Sequence, residues 1–494
     1  MTSPEIITDP IHASSLSLAK RVRAGLGWNI SSALITESTR FLRSIILAWL
    51  LVPEDFGLFA MALTVVGALN AVSSLGLSRT IVASKFDSKN ELRTYLDTVW
   101  SVELLRSFVV ALLAFASAFP MAWFYGQDQL KVIVPILGSI TLIGGFQNIG
   151  LALLRKQISF ARIFWYELIT NVAGIALTIA LAIVMRNVWA LVIGLLLTST
   201  LSTVLSYAFH SYRPRLALES HAFRRIMNVG KLTLLIAVAS YAVNMADNIM
   251  VGRLLGSSAL GNYSLAFNIA SAPISVLVLS LSGVLFPAYA EITSQRPETL
   301  EAAFTKVSNI ALSIIVVMAA PMLLLAGEVV QILFGSRWTT AGTVLRILAL
   351  VIPFRGFSLL VSSFFWGLNR PKLVAVATTL EALIFLAALY PLIKRFGLSG
   401  AAWAAVIAYG FGSIIRARAL SQIIRGITTK LFQISLLIIA AAGTGLLIAW
   451  FSLRFVTAAL PRVVIGGLLS TIIPLVILLY FKPEMRKSLA EWLS

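Results

Sequence analysis

The chain has 494 residues, of which 59% are hydrophobic and only 12% are charged, and this balance excludes a water-soluble globular protein. The formal net charge of +19 does not indicate nucleic-acid binding, because the Lys and Arg residues occupy short segments between apolar runs rather than a basic helix or an aromatic platform. The absence of cysteine excludes disulfides, iron–sulfur clusters and thiol catalysis. The composition therefore predicts an all-α protein that crosses a membrane many times.

The apolar runs predict about fourteen transmembrane helices. Each run is about 20 residues long, which is the length of helix that spans a bilayer. The residues before the first run, 1-26, lack the apolar core of a signal peptide, so we expect them to form a cytoplasmic N-terminal segment. The predicted spans are 27-51, 56-82, 98-124, 131-153, 164-185, 188-210, 229-251, 262-287, 306-327, 342-367, 373-393, 398-420, 432-452 and 462-481.

The basic residues between the spans predict the orientation of the chain in the membrane. With the N-terminus inside, the cytoplasmic segments hold 23 Lys and Arg residues and the outer segments hold 8. Because basic residues accumulate on the cytoplasmic side, this distribution predicts that both termini are cytoplasmic. The predicted outer loops are too short to fold into a separate domain.

A weak internal repeat predicts two halves of six helices each. Segment 56-59 (Phe-Gly-Leu-Phe) resembles segment 260-263 (Leu-Gly-Asn-Tyr), and two further pairs of segments follow in the same order. Because both halves start on the same side, we expect a pseudo-twofold axis along the membrane normal. The predicted divisions are an N-lobe at 27-210, a cytoplasmic inter-lobe linker at 211-228 that acts as a hinge, a C-lobe at 229-420, a C-terminal helix pair at 430-481 and a cytoplasmic tail at 482-494.

The first predicted span carries three charged residues in its middle. Glu37, Arg40 and Arg43 share one helix face at about 100° per residue, and Arg355 lies deep in the tenth span. Charges at the centre of a bilayer must be paired, hydrated or used in function. Several guanidiniums in one cavity suit a phosphate or pyrophosphate, which Arg binds through bidentate hydrogen bonds. These three arginines are therefore candidate ligands of an anionic headgroup.

The seventh predicted span has a polar face formed by Asn244, Asp247 and Asn248 together with Ser240. The repeat places this span opposite the first, so we expect both faces to border one central cavity. Asp247 and Glu37 are candidates for coupling to an ion or proton, and the two asparagines are candidate polar groups of the same cavity. Pairing of either acid with the arginines is the alternative.

Other charges within the spans have structural explanations. Glu103 and Arg106 are three residues apart and can neutralise one another, whereas Glu381 can hydrogen-bond between helices. The sequence contains no Walker loop, nucleophile elbow or HExxH motif, and its three histidines lie outside the apolar runs. We therefore name no catalytic residue, metal ligand or cofactor, and we expect that the protein is not an enzyme.

Five short segments carry a resemblance to a known family. They are Pro53-Glu54-Asp55-Phe56-Gly57-Leu58, Gly76-Leu77-Ser78, Gly261-Asn262-Tyr263-Ser264-Leu265-Ala266-Phe267-Asn268-Ile269-Ala270, Val284-Leu285-Phe286-Pro287-Ala288-Tyr289-Ala290-Glu291-Ile292 and Phe334-Gly335-Ser336-Arg337-Trp338. The chain resembles the polysaccharide transporter family, the Wzx-type flippases of the multidrug/oligosaccharidyl-lipid/polysaccharide superfamily. Its length and topology are also similar to those of a succinoglycan-type exopolysaccharide exporter.

This resemblance implies a flippase that moves polyprenyl-pyrophosphate-linked oligosaccharide repeat units across the bacterial inner membrane for exopolysaccharide biosynthesis. It implies alternating access by two lobes around a cationic cavity, in which Arg40 and Arg43 match the family's arginines of the first helix. The eighth span lacks the arginine that some relatives place there and offers Asn262 and Asn268 instead. The implied partners are this lipid-linked substrate, the membrane lipids and, as candidates, a polysaccharide polymerase and co-polymerase of the export system.

The nearest alternative is a cation-coupled multidrug antiporter of the same superfamily. The last helix pair and the cationic face of Arg40 and Arg43 argue against it, because such antiporters usually have twelve helices and favour acidic cavities. A membrane polymerase or ligase would carry a large outer loop with catalytic residues, which the predicted topology does not provide. A scaffold without transport activity would leave the charged cavity without a use.

Overall fold

In the computed structural model, the regular structure of the described residues is entirely helical. The structure describes residues 37–74, 88–156, 160–295, 297–424, 426–456 and 458–481. The predicted cytoplasmic segments 1-26 and 482-494 lie outside them, as does the start of the first predicted span. The apolar helices confirm the predicted class of an all-α polytopic membrane protein.

Among the described residues, eight helices are long and apolar enough to cross a membrane, or nine if α10 and α11, bent by 47°, form one span. The figure of fourteen spans stays a prediction. The helices in chain order are α1 (37–50), α2 (Pro53–Val72), α3 (Lys89–Tyr125), α4 (Leu130–Gly145), α5 (Gly150–Lys156), α6 (Phe160–Met185), α7 (Val188–Phe209), α8 (Ser220–Gln295), α9 (Leu300–Phe334), α10 (Thr339–Leu348), α11 (Val351–Gly367), α12 (Pro371–Ser421), α13 (Ile427–Ser452) and α14 (Ala459–Phe481).

The predicted span 131-153 is interrupted between α4 and α5. The interruption centres on Asn148, whose side-chain oxygen accepts a hydrogen bond from the backbone N–H of Gly150 at 2.9 Å. The backbone N–H of Asn148 donates to Ser206 Oγ of α7, also at 2.9 Å. Helix α4 ends at Gly145, and because an Asn side chain can satisfy the first free N–H groups of a helix, Asn148 then caps the start of α5.

In two places the structure has a single non-helical glycine where the sequence predicted a loop between spans. Helix α8 runs through the predicted loop between spans 229-251 and 262-287 and departs from helical geometry at Gly256 (φ 85°, ψ −178°). Helix α12 has the same kind of break at Gly397 (φ 57°, ψ −135°). A positive φ costs glycine little because it has no Cβ, so these two positions allow one helix to follow another across a kink without a longer loop.

The chain divides after Gly261 into two compact units. The boundary falls inside α8, which therefore contributes to both units. In addition, α8 begins at Ser220, within the segment 211-228 predicted as a linker. The predicted division into lobes at 27-210 and 229-420 stays a prediction.

Among the described residues of the first unit, apolar side chains form two clusters that join distant helices. One joins the start of α3 to α5 through buried residues that include Tyr95, Leu96 and Ala152. The other joins the end of α1 to α6 and α7 through Leu47 and Leu191, among others. Both clusters pack elements that are distant in sequence, so they fix where α1 and α3 lie in this unit.

The core of the second unit is aromatic. Phe364 of α11 lies between Tyr289 of α8 and Phe304 of α9, with ring centroids 5.2 and 4.6 Å apart. All three side chains are buried, in a cluster that α12, α13 and α14 complete. Large buried rings contribute much of the packing energy in such a core, so this cluster holds the C-terminal helix pair against the rest of the unit.

A close helix crossing joins α2 to the part of α8 that follows Gly256. The backbone at Gly57 lies against the carbonyl of Ser257, and the backbone at Gly261 lies against the carbonyl of Pro53. A Cβ atom at either glycine would overlap the opposite carbonyl. Glycines let two membrane helices approach until their backbones touch. The contact is reciprocal, because each helix presents a glycine to a backbone carbonyl of the other.

Candidate functional site

Within the described part of the chain, the charged face of α1 carries an ion pair between Arg40 and Glu37. The guanidinium of Arg40 donates to the Glu37 carboxylate at 3.1 Å, and the two side chains are 59% and 15% exposed. Glu37 is thus paired with an arginine, which is the alternative that the sequence left open. Arg43 lies one turn further along, half-buried, and makes no ion pair within the described part of the chain. Its role and that of Arg40 in headgroup binding stay predictions.

The polar residues Asn244, Asp247 and Asn248 lie in the part of α8 that belongs to the first unit. Asp247 is buried, and its carboxylate accepts the backbone N–H of Asn248 at 2.8 Å. The side-chain nitrogen of Asn248 points to the sulfur of Met245 at 3.5 Å, and Asn244 is exposed. A buried carboxylate in a membrane span requires compensation by neighbouring groups, which keeps Asp247 a candidate for ion coupling.

Arg355 is held in the second unit by polar and aromatic groups. Its guanidinium donates to Ser271 Oγ at 3.0 Å and lies over the rings of Phe267 and Tyr409, at 5.6 and 5.5 Å from their centroids. Such cation–π contacts stabilise a guanidinium that has lost part of its hydration. Arg355 belongs to a different unit from Arg40 and Arg43, so their convergence on one cavity stays a prediction.

The two asparagines of the eighth predicted span differ in their surroundings. Asn262 is buried, and its side-chain oxygen accepts the backbone N–H of Ala341 at the start of α10, at 3.2 Å. This bond satisfies one of the free N–H groups at a helix start, so Asn262 has a structural role. Asn268 is exposed.

A buried ion pair in α12 was not predicted from the sequence. Arg416 lies in the last turns of α12, where its side chain is buried and donates to the carboxylate of Glu381. It also donates to Thr378 Oγ1 at 3.1 Å. The pair fits only because Gly412 leaves room beside it, since a Cβ atom there would overlap the Glu381 carboxylate. The expected hydrogen bond of Glu381 between helices is therefore part of a salt bridge.

The predicted pair of Glu103 and Arg106 in α3 is present. The guanidinium donates to both carboxylate oxygens of Glu103, at 2.5 and 3.1 Å. It also donates to Asn70 Oδ1 and Ser73 Oγ of α2, at 3.1 and 3.0 Å. Because its donors reach a carboxylate and a second helix, Arg106 links α2 to α3 within the first unit.

Residues 210–219, which we name the strap, follow α7 without regular secondary structure and bind to α3. The Tyr212 hydroxyl donates to the Asp97 carboxylate, which also accepts the backbone N–H of Arg215 at 2.9 Å. The backbone N–H groups at positions 217 and 219 donate to hydroxyls of α3, at 2.9 and 3.2 Å. The predicted hinge is therefore fixed to the first unit along half of its length.

His210 at the start of the strap is expected to make stability depend on pH. Burial and the guanidiniums of Arg162 and Arg213 lower the pKa of His210. Its Nδ1 accepts the backbone N–H of Tyr212 at 3.0 Å, a bond that requires the neutral ring. Because the unfolded chain binds the proton more readily, this contribution is complete above about pH 6.5 and is lost as the pH falls toward the lowered value.

The measurement is the thermal midpoint of the detergent-solubilised protein at about pH 7.5 and about pH 5. The midpoint of the unmodified chain is expected to fall further between these two pH values than that of His210→Asn, whose amide cannot titrate. Equal pH dependence of the two proteins would assign no stability to the neutral His210.

Helices of membrane length that hold arginines, carboxylates and amides at internal positions define a polytopic membrane protein with polar groups inside its spans. The profile of the family described as Polysaccharide biosynthesis protein matches residues 46–343. The chain belongs to this family, and the resemblance that its sequence segments carry is confirmed.

Individual relatives and solved structures support this assignment. The Succinoglycan biosynthesis transport protein ExoT of Rhizobium meliloti (strain 1021) is 27% identical over 379 residues, which cover 73% of this chain and 74% of the relative. The structure is similar to that of the lipid II flippase MurJ in an inward closed conformation, with a TM-score of 0.74, 16% identity and coverage of 91% of this chain and 97% of that one. An inward-facing multidrug resistance transporter of the MATE family, in the MOP superfamily, gives a TM-score of 0.61 at 18% identity, with coverage of 83% and 98%. At these identities the two structures establish the fold alone.

Proposed function

We propose that the protein is a flippase that translocates polyprenyl-pyrophosphate-linked oligosaccharide repeat units for exopolysaccharide biosynthesis. Family membership and the relative named as a succinoglycan biosynthesis transport protein support the substrate class. The observation that carries the proposal is the face of α1, where Arg43 is half-buried beside Arg40 and makes no ion pair within the described residues.

Keeping an arginine in a membrane span is unfavourable unless the charge is paired, hydrated or used. An arginine at the centre of a spanning helix costs about 2.5–3.5 kcal/mol even on insertion scales, so an unused one would be unfavourable. A pyrophosphate presents several oxygens with negative charge, and the planar guanidinium binds two of them at once. Arg40 and Arg43 would bind the pyrophosphate, and Arg355 would contribute if it reaches the same cavity. This charge complementarity offsets the cost of burial.

In the proposed mechanism, the pyrophosphate binds the arginines while the oligosaccharide occupies a hydrated cavity and the polyprenyl tail stays in lipid. The two lobes then alternate between access from the cytoplasm and access from the periplasm of a bacterial inner membrane, with both termini cytoplasmic. Glu37 and Asp247 are proposed for ion coupling, with Asn244 and Asn248 as polar groups of the cavity. A polysaccharide polymerase and co-polymerase are proposed partners that receive the translocated unit.

Arg40→Ala and Arg43→Ala are each expected to lower export at least about tenfold, because each removes one bidentate contact to the pyrophosphate. The measurement is the amount of extracellular polysaccharide in a deletion strain that expresses each variant, divided by the amount of inserted protein. Arg43→Lys is expected to retain part of the activity, since it keeps the charge but loses the planar fork.

Arg186→Ala is the matched control, because Arg186 is exposed in the turn between α6 and α7. It is expected to leave export unchanged. Normal export by both Arg40→Ala and Arg43→Ala would contradict the binding proposal. Extrusion of cationic drugs by the unmodified chain, unaffected by these variants, would instead favour the multidrug antiporter.

A further inference from the structure

An apolar groove opens on the surface of the first unit where the strap meets α3 and α4. Its volume is about 690 Å³, within the range of small-molecule sites. The residues that line it include Leu104 and Phe108 of α3, Leu142 of α4 and Leu216 and Leu218 of the strap. The strap forms one wall, so the groove exists only because the strap is fixed to α3.

The groove is open to the surroundings of the protein. Leu216 is 76% exposed and Phe108 is 55% exposed, although both are large apolar side chains. Exposed apolar surface of this size is unfavourable in water and favourable against hydrocarbon. Along α3 the groove extends from Ser101 to Phe108, about two helical turns or roughly 10 Å. This is the shape of a site for an extended hydrocarbon chain.

One end of the groove is cationic. Arg215 directly precedes the strap residues that line the groove, and its side chain is exposed. Arg93 is also exposed and acts electrostatically on Tyr212 of the strap. Three acids lie close in sequence to the groove, and each already has a partner within the protein. Asp97 is buried and accepts the Tyr212 hydroxyl and a strap N–H. Glu103 accepts the guanidinium of Arg106, and Glu219 accepts the backbone N–H of Ala222.

We propose that this groove binds an anionic glycerophospholipid of the surrounding membrane. One acyl chain would lie between α3 and α4, and the phosphate would contact Arg215 and Arg93. A single molecule of this class supplies both the hydrocarbon for the groove and the negative charge for the guanidiniums. The distribution of basic residues by topology accounts for arginines in this region, but it does not account for an apolar groove that ends at them.

Such a lipid would hold the strap against α3. Because α8 begins directly after the strap, the lipid would also fix the position of the first residues of α8. The lipid would act as a structural ligand of the first unit. The proposal does not depend on the proposed transport activity, because neither the groove nor its arginines belong to the candidate headgroup site.

The experiment is native mass spectrometry of the detergent-solubilised full chain with dioleoyl phosphatidylglycerol or dioleoyl phosphatidylcholine. The unmodified chain is expected to retain the anionic lipid in preference to the zwitterionic one. Arg215→Ala and Arg93→Ala are each expected to weaken retention of phosphatidylglycerol about fivefold. Leu105→Trp, which fills the groove from its exposed side, is expected to weaken retention of both lipids.

Two matched variants serve as controls. Arg186→Ala removes an exposed arginine elsewhere, and Leu112→Trp enlarges an exposed leucine two turns further along α3, outside the groove. Both are expected to bind phosphatidylglycerol as the unmodified chain does. Equal retention of the two lipids by the unmodified chain, or undiminished retention by Arg215→Ala and Leu105→Trp, would overturn the proposal. Displacement of phosphatidylglycerol by an equal concentration of undecaprenyl phosphate would also overturn it and make the groove a site for a substrate tail.

Discussion

Replacing Glu381 by glutamine is expected to lower the free energy of unfolding by about 3–5 kcal/mol. The substitution leaves the guanidinium of Arg416 without its counter-charge. Arg416 is only 4% exposed, so water cannot replace the lost partner. Arg416→Gln leaves the carboxylate in the same position and is expected to cost a similar amount. The measurement is the unfolding of the purified protein in mixed micelles of detergent and sodium dodecyl sulfate.

The reason for so large an effect is the loss of one partner rather than the strength of the pair. A buried charge that has lost its counter-ion pays a desolvation cost that neither Thr378 nor a glutamine side chain can offset. Removing both charges avoids this cost. The double variant Glu381→Met/Arg416→Met is therefore expected to be close to the unmodified chain in stability, which a double-mutant cycle would show as strong coupling.

The exposed pair of Lys430 and Glu301 provides the control. Its atoms are 2.5 Å apart, but the side chains are 57% and 38% exposed. Exposed pairs contribute about 0–1 kcal/mol, so Glu301→Gln is expected to have little effect. A cost of Glu381→Gln as small as that of Glu301→Gln would mean that water reaches the α12 pair.

The α12 pair could have been found from the sequence. Spans 373-393 and 398-420 are separated by a short connection, so they form a helical hairpin, and the carboxylate and guanidinium lie at similar distances from Gly397 on its two arms. Opposite charges at similar depth on adjacent antiparallel spans are expected to meet. Glu381 was expected to hydrogen-bond between helices, but Arg416 was not named as its partner.

Other features could not be predicted, because they depend on contacts between distant segments. Hydropathy predicted most helices, since a run of apolar residues is a local property. The break before α5 depends on the bond of Asn148 to Ser206, and the strap depends on Asp97, more than 100 residues before it. A single sequence does not reveal such partners. For the candidate site, the sequence predicted the charged residues and the alternative of pairing Glu37 with an arginine.

Introducing a methyl group at the crossing of α2 and α8 is expected to destabilise the first unit. Gly57→Ala places a Cβ atom against the carbonyl of Ser257, and Gly261→Ala does the same against Pro53. A backbone carbonyl cannot move aside as the end of a flexible side chain can, so the helices must separate. We expect each substitution to cost about 2–3 kcal/mol, which is the upper part of the range for overpacking. Gly443→Ala, in α13 with no heavy atom near the added methyl, is the control and is expected to be neutral or slightly stabilising.

The reciprocal geometry leads to a sharper expectation for the double variant. The two glycines were paired in the predicted repeat, and each faces the residue four positions before the other. One added Cβ atom already forces the helices apart. The second Cβ atom then no longer overlaps the opposite carbonyl. The cost of Gly57→Ala/Gly261→Ala is therefore expected to be less than the sum of the two single costs, measured by the same mixed-micelle unfolding. Additive costs would mean that the two glycines lie in separate contacts, and the crossing would then be two independent close approaches rather than one self-complementary contact.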